Sequence, residues 1–171
     1  CEVVGVNVAD GGEGTVDAVV EALGGKIVTA TVNDPLGRPI LARYGVVGKM
    51  AVIGIAAASG LTLLTDDERN PWLTSTYGTG EMIMDAVNRG CRDFLVGVGG
   101  SATNDACMGM LQALGFRFYD IDDQEIIDGC GGRLQDVARI DDTGVMDAVR
   151  QCRFTVACDV DTPFCGSEGA A

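Results

Sequence analysis

Residues 93–114 constrain the fold most, because they read as a buried strand, a glycine turn and an amphipathic helix in direct succession. Gly97, Gly99 and Gly100 form the turn. Backbone N–H groups freed by such glycines, together with the positive end of a following helix, make a binding site for anions. The segment therefore predicts a phosphate-handling site in an α/β protein. A structural tight turn is the alternative.

Small polar groups continue this loop beyond the glycines. They are two hydroxyls, an amide and a carboxylate, from Ser101, Thr103, Asn104 and Asp105. Hydroxyls and amides donate hydrogen bonds to phosphate and carboxylate oxygens. We predict that these side chains and the amides of Gly99 and Gly100 bind the anion.

Strand-like and helix-like patterns alternate along most of the chain. Apolar residues at helical spacing predict helices over 15–23, 79–88 and 103–114. Apolar runs predict strands over 3–8, 26–32, 39–46, 50–56, 94–98, 116–119 and 154–158, with one or two short helices before the last strand. Residues 33–37 predict a turn between two paired strands. The fold class predicted is α/β, with a mixed or mainly parallel sheet and flanking helices.

Charge argues against nucleic acid as a partner, since 25 acidic residues face 12 basic ones and the formal net charge is −13. The seven cysteines lack a Cys-x-x-Cys pair and predict reduced thiols. No apolar run approaches the roughly 20 residues of a membrane span, and no signal peptide opens the chain. We expect a cytoplasmic protein without a membrane partner. Whether the protein forms a homodimer is left open by the sequence.

The loop over 9–15, Ala-Asp-Gly-Gly-Glu-Gly-Thr, places two carboxylates beside glycines. Asp10 and Glu13 would hold Mg²⁺, through waters. The structural alternative is a capping box, in which Asp10 accepts an amide bond and Glu13 reaches back.

Two further loops carry polar groups at strand or helix ends. Thr76, Gly78 and Thr79 belong to a hydroxyl-rich approach to a helix, which suits a phosphate or a small hydroxy acid. Ordinary N-capping by Thr76 or Thr79 is the alternative. Asp159 ends the last strand, where it would bind a metal, take a substrate proton or simply form a turn.

Residues 97–102 also fit the dinucleotide fingerprint Gly-x-Gly-x-x-Ala, with Asp120 at the place of a ribose-binding acid. This reading gives the other three loops no role. It also places a carboxylate, Asp105, near a pyrophosphate. A dinucleotide-binding oxidoreductase is therefore a minor alternative.

Six segments, in the same order, resemble the bacterial type I glycerate kinase family. They are Ala-Asp-Gly-Gly-Glu-Gly-Thr at 9–15, Asp-Pro-Leu-Gly-Arg-Pro at 34–39, Ala-Ala-Ser-Gly-Leu at 57–61, Asn-Pro-Trp-Leu-Thr-Ser-Thr-Tyr-Gly-Thr-Gly-Glu at 70–81, Gly-Gly-Ser-Ala-Thr-Asn-Asp at 99–105 and Cys-Asp-Val at 158–160. The resemblance implies transfer of a phosphoryl group from ATP to D-glycerate, giving a phosphoglycerate, in this family generally the 2-phosphate. It also implies a need for Mg²⁺.

The resemblance further implies two α/β domains, with the active site between them, in a chain about twice this long. Residues 1–171 would be its central portion, mostly one α/β domain, with the amino- and carboxyl-terminal parts absent. The only lysines are Lys26 and Lys49, and neither lies in a glycine-rich loop. The cation expected opposite the ATP phosphates would then lie on an absent part. A non-catalytic ligand-binding fragment is a further alternative.

In such a kinase, catalysis is mainly positioning and charge neutralisation. We expect Asp105 to accept the proton of the glycerate hydroxyl, with Asp10 as the second candidate. Asp10, Glu13 and Asp159 would hold Mg²⁺. Thr76, Gly78 and Thr79 would line the pocket for glycerate or phosphate.

The chain departs from the family pattern at three places. Gly54 stands where the family usually has glutamate, Ala106-Cys107 stands where Gly-Gly is common, and residues 162–164 replace Asn-Pro-Leu. These changes would affect acid specificity or rate, and they leave the phosphate-binding loops intact.

Overall fold

The computed structural model describes residues 11–158, 162–163, 165–167 and 169. The strand predicted over 3–8 lies outside these residues. The helices are α1 Thr15–Leu23, α2 Ala56–Ser59, α3 Tyr77–Asn88, α4 Met108–Ala113 and α5 Asp147–Arg150. The strands are β1 Lys26–Asn33, β2 Pro39–Val47, β3 Met50–Gly54, β4 Asp93–Gly97, β5 Arg117–Tyr119, β6 Glu125–Ile126, β7 Arg139–Asp141 and β8 Arg153–Ala157. Short 3₁₀ helices cover Leu61–Leu63, Asp66–Glu68 and Gly131–Asp136.

The main sheet is mixed. Its five strands follow the order β1-β2-β3-β4-β8. The pairs β1–β2 and β2–β3 are antiparallel, whereas β3–β4 and β4–β8 are parallel. The predicted α/β class with a mixed sheet and flanking helices is therefore confirmed.

The hairpin of β1 and β2 forms as predicted, and Asp34 organises its turn. The Asp34 carboxylate accepts hydrogen bonds from the backbone N–H groups of Leu36 and Arg38, both at 2.9 Å. The Arg38 side chain joins this turn to Glu68 through an ion pair of 2.6 Å. The hydrogen bond and the ion pair with Arg38 lower the pKa of Glu68. The turn and the 3₁₀ segment at Glu68 therefore hold each other in place.

The main core lies between this sheet and α3. Met82, Ile83 and Ala86, spaced as one helical face, are fully buried on α3. They meet Tyr44 from β2 and Ile53 from β3 within the same apolar cluster. The helical spacing that predicts α3 is thus the face that packs on the sheet.

A second, antiparallel sheet has the order β6-β5-β7. Its small core is formed by Met108, Phe118 and Ile126. The sequence predicts only β5 of these three strands. The other two have two and three residues, which is too short for a recognisable alternation of apolar and polar residues.

The largest difference from the sequence prediction concerns α4. A helix is expected over 103–114, but α4 begins at Met108. Ala106 and Cys107 have left-handed backbone conformations, with φ of 46° and 63°. The predicted helix therefore loses its first five residues to a loop.

Within the described part of the chain, no helix is long and apolar enough to cross a membrane. Among the described cysteines, Cys91, Cys107, Cys130, Cys152 and Cys165 are free thiols. Cys91 is buried in the main core and Cys152 packs against it, whereas Cys107, Cys158 and Cys165 are exposed.

Candidate active site

A cleft of about 340 Å³ opens at the carboxyl ends of β3 and β4. In sheets with parallel strands, this edge is where ligands usually bind. Two predicted loops meet there, namely residues 11–14 and the turn at Gly99 and Gly100. The remaining lining residues are Val16, Asp17, Ile27, Arg43, Gly54, Ala56, Ala57, Thr62 and Leu63.

The two glycine loops touch through their backbones. The N–H of Gly99 donates to the carbonyl oxygen of Gly11 at 3.2 Å. A Cβ atom on Gly97 would collide with that same carbonyl, and one on Gly99 would lie 2.8 Å from Cα of Gly12. The glycines are therefore needed for this approach, and they leave backbone rather than side chains on the wall of the cleft.

The loop after β4 is fixed at several points. Gly60 and Ser101 form an isolated antiparallel bridge. The Thr74 hydroxyl donates to the carbonyl oxygen of Ala102 at 2.8 Å. Ser101 and the next three residues are half-buried. Among the predicted anion-binding groups, Gly99 and Gly100 thus lie on the described cleft, whereas a ligand role for Ser101, Thr103 and Asn104 stays a prediction.

The start of α4 removes one part of the predicted anion site. Because the helix begins at Met108, its amino terminus is separated from Gly100 by seven residues. The dinucleotide fingerprint requires a helix directly after its glycines. Asp120 also follows β5, which belongs to the second sheet rather than to the one that contains β4. Neither structural condition for a dinucleotide site is met in the described residues.

Asp105 is buried rather than presented to the cleft. Its side chain is 1% exposed. One carboxylate oxygen accepts hydrogen bonds from the Thr76 N–H, the Thr76 hydroxyl and the Gly109 N–H, at 2.8, 2.8 and 3.1 Å. The other accepts from the Cys107 N–H at 3.2 Å. The role of Asp105 as a base stays a prediction.

The hydroxyl-rich loop before α3 is also buried. Thr79 shares a 2.8 Å hydrogen bond with the Ser59 hydroxyl. Gly78 packs so closely on the carbonyl oxygen of Asn33 that a Cβ atom would collide with it. Thr76 occupies the N-cap position of α3, but its side chain does not cap the helix. In the described structure these residues hold elements together, and their contact with a ligand stays a prediction.

The predicted metal ligands are only partly described. Glu13 is exposed and lies on the cleft. Asp10 and Asp159 lie outside the described residues. Among all the residues that the structure describes, no group of three or more Cys, Asp or Glu side chains lies close enough to hold a metal ion. The Mg²⁺ site at Asp10, Glu13 and Asp159 therefore stays a prediction.

The capping-box alternative for this loop does not hold. Helix α1 begins at Thr15 and has Gly14 at its N-cap, so Asp10 is too far along the chain to cap it. The hydroxyl of Thr15 instead accepts a hydrogen bond from the Gly11 N–H at 3.0 Å. A turn closed by Thr15 leaves the Glu13 side chain exposed.

No sequence motif indicates the two charged residues that also line the cleft, Arg43 and Asp17. Arg43 of β2 lies there, 3.3 Å from the Asp17 carboxylate, and both side chains are more than 60% exposed. Such an exposed ion pair is weak, so the guanidinium can turn to an anion at small cost. Only the folding of β2 against α1 brings Arg43 to the cleft, and no local motif marks it.

Gly54 forms the floor of the cleft at the end of β3. A Cβ atom there would touch only the Val16 side chain, at the ordinary distance of 3.4 Å. A Cβ atom therefore fits at Gly54, as a larger residue at this place would require. In this chain the same space belongs to the cleft.

The fold and the cleft define an α/β domain with two glycine loops at the carboxyl edge of its sheet, where ligands usually bind. The family model for the glycerate kinase family matches residues 1–171. The chain belongs to the glycerate kinase family.

Relatives from several bacteria agree with this assignment. The glycerate kinase of Bacillus subtilis strain 168 is 49% identical over 165 residues, which are 95% of this chain and 43% of the relative. The glycerate 2-kinase of Escherichia coli K12 is 45% identical over 170 residues, or 98% of this chain and 44% of the relative.

A solved structure shows the same fold. The crystal structure of a protein described as glycerate kinase 2 from Salmonella typhimurium LT2 matches with a TM-score of 0.90 at 46% identity. The match covers 96% of this chain and 44% of that one. The chain thus spans less than half the length of the relatives it matches.

Proposed function

We propose that the complete protein transfers a phosphoryl group from ATP to D-glycerate and is an enzyme, a phosphotransferase with an alcohol acceptor. Family membership over all 171 residues gives the reaction class. The meeting of loops 11–14 and 97–100 at one cleft is the observation that carries the proposal for this chain. The relative from Escherichia coli has the name glycerate 2-kinase, which supports the 2-phosphate as product.

The cleft suits phosphoryl transfer because its described lining offers backbone amides and one cationic side chain, that of Arg43. A glycerate hydroxyl oxygen forms a bond to the terminal phosphorus while the bond to the ADP oxygen breaks. The hydroxyl proton passes to a carboxylate base, which the sequence predicts as Asp10 or Asp105. Backbone amides at Gly100 and loop 11–14, with the Arg43 guanidinium, would stabilise charge on the phosphoryl oxygens.

The predicted carboxylate ligands are of the kind that suits Mg²⁺. Glu13 offers exposed carboxylate oxygens on the cleft, and oxygen is the ligand that Mg²⁺ prefers. Glu13 would hold the ion together with Asp10 and Asp159. When bound, the ion neutralises negative charge on the ATP phosphates. We place the reaction in the cytoplasm, where ATP and reduced thiols occur together.

The test is an assay of the complete protein with ATP, Mg²⁺ and D-glycerate. We expect glycerate-dependent release of ADP, and phosphorus NMR should place the new phosphate on carbon 2. Saturable binding of nucleotide or glycerate without turnover would support a non-catalytic binding module instead. NAD(H)-dependent oxidation of a hydroxy acid would support an oxidoreductase.

A further inference from the structure

We propose that Asp105 is a positioning residue, which joins the cleft loop over 99–105 to the start of α3 through Thr76, and that it does not take the substrate proton. The proposal rests on the proposed kinase function. It concerns the role of one carboxylate within that function.

Both carboxylate oxygens of Asp105 accept hydrogen bonds. Three backbone N–H groups and one hydroxyl donate to it, at 2.8 to 3.2 Å. The Thr76 hydroxyl also accepts a hydrogen bond from the Met110 N–H, at 2.9 Å. The hydroxyl donates its own proton to the Asp105 carboxylate, which can only accept. The two side chains therefore form one connected network between α3 and α4.

A general base must come within hydrogen-bond reach of the proton it removes. Asp105 is 1% exposed, and it is absent from the residues that line the described cleft. A substrate hydroxyl would reach it only if the groups that bury it moved, among them its four donors. A buried donor left without a partner costs about 1–3 kcal/mol. The geometry thus favours a group that stays in place during the reaction.

The backbone around Asp105 shows what the network holds. Ala106 and Cys107 both have positive φ, a conformation that costs non-glycine residues about 1–2 kcal/mol each. The Cys107 N–H and the Gly109 N–H, on either side of Met108, both donate to Asp105. The carboxylate thus offsets the strain, and it fixes where the loop ends and α4 begins.

The opposite end of the loop reaches the cleft. Gly99 and Gly100 line it, and Ala102 is held by Thr74 through the hydrogen bond already described. The segment from Thr103 to Cys107 connects this anchor to α4. Loss of the Asp105–Thr76 contact would therefore release the carboxyl-terminal end of the loop. Its remaining attachments would be the Thr74–Ala102 hydrogen bond and the Gly60–Ser101 bridge, and the Gly100 amide proposed to bind phosphate would be placed less firmly.

Four variants of the complete protein test this role: Asp105→Asn, Thr76→Val, the double variant and Thr76→Ser. Misplacement of reacting groups by about 1 Å can cost about 100-fold, so we expect kcat/KM to fall by about 10- to 100-fold in both single variants. The double variant should be no worse than Asp105→Asn, because each change breaks the same contact. Thr76→Ser keeps the hydroxyl and should remain near wild type.

The pH profile separates positioning from proton transfer. If another group is the base, the acidic limb of kcat against pH keeps its position in Asp105→Asn. Loss of that limb, with Thr76→Val close to wild type, would overturn the proposal in favour of Asp105 as the base. Where Asp105→Asn does not fold, Thr76→Val and Thr76→Ser still give a result, because equal and normal kcat/KM values in both would also overturn it.

A core variant controls for loss of stability alone. Val87 is 3% exposed near the other end of α3, and Val87→Ala should lower the melting temperature while kcat/KM per folded molecule stays unchanged. If Thr76→Val behaves in the same way, the contact is merely structural and the proposal fails. A wild-type protein without glycerate-dependent ADP release would instead remove the proposed function itself.

Discussion

At the scale of single residues, glycines decide how closely the elements approach. Gly109 lies where α4 crosses the start of α3, and a Cβ atom there would collide with the Ser75 hydroxyl and lie 2.8 Å from the Tyr77 nitrogen. Gly54 lies at the cleft, where a Cβ atom meets only Val16 at 3.4 Å. The two positions therefore predict different responses to the same substitution, a loss of stability at Gly109 and almost no change at Gly54.

Gly109→Ala should lower the free energy of unfolding by about 1–3 kcal/mol, because the added methyl group cannot fit without movement of α3. Gly54→Ala should change it by less than about 0.5 kcal/mol. Urea denaturation of both variants measures the difference. Equal stability of the two variants would show that α3 and α4 pack less closely than described.

Glu13 is the described member of the predicted Mg²⁺ site. Glu13→Gln removes its charge and should raise the Mg²⁺ concentration for half-maximal activity of the complete protein by about tenfold, equivalent to about 1.4 kcal/mol. Glu21→Gln is the matched control, since this exposed glutamate lies near the opposite end of α1. Identical Mg²⁺ titrations for both variants would remove Glu13 from the site.

The sequence indicated the glycine loops of the cleft, but neither its arginine nor the burial of Asp105. The two glycine loops could be found from the sequence because close backbone approach demands glycine. Arg43 could not, since an arginine on a strand has many ordinary uses on a protein surface. Nor could the burial of Asp105 be foreseen, because its partners at Thr76 are 29 positions away.

At the scale of elements, local sequence determines some boundaries and long-range contacts determine others. Helix α1 covers the predicted residues, because its apolar spacing and the glycines on both sides act locally. Helix α4 begins five residues later than predicted, because a buried carboxylate captures the N–H groups of Cys107 and Gly109. Helical periodicity cannot reveal such a competitor for the backbone.

A polar contact between β2 and α3 makes stability depend on pH. The Tyr44 hydroxyl donates to Asp85 at 2.5 Å, and Asp85 pairs with Arg89 at 2.7 Å. Burial first, and then the hydrogen bond to Asp85, raise the pKa of Tyr44 above its ordinary value of 10.0. The folded protein therefore keeps this proton at a pH where the unfolded chain releases it.

Because the pKa is raised in the folded state, the stabilisation is complete below pH 10 and is lost as the pH rises further. Tyr44→Phe should remove this part of the loss. Urea denaturation at several pH values from 8 to 11 should therefore give a flatter dependence for the variant than for the wild type. Equal pH dependence of the free energy of unfolding in both proteins would contradict the raised pKa of Tyr44.

At the scale of the whole molecule, the class of fold was predictable and the second sheet was not. The order of strands and helices implies a mixed α/β sheet, since apolar runs and helical spacing are strong in the segments that build it. The sheet of β5, β6 and β7 rests instead on three core side chains from separate short segments, Met108, Phe118 and Ile126, and its strands β6 and β7 are too short to show a recognisable pattern. The family was indicated by the joint order of the loops rather than by any one of them.

The central claim is that loops 11–14 and 97–100 form the phosphate-binding wall of a glycerate kinase cleft. The most direct measurement is a crystal structure of the complete protein with D-glycerate and a non-hydrolysable ATP analogue. We expect phosphate oxygens of the analogue or carboxylate oxygens of glycerate within hydrogen-bond distance of backbone amides in these loops, next to Arg43. Both ligands bound elsewhere, with neither loop in contact with them, would contradict it.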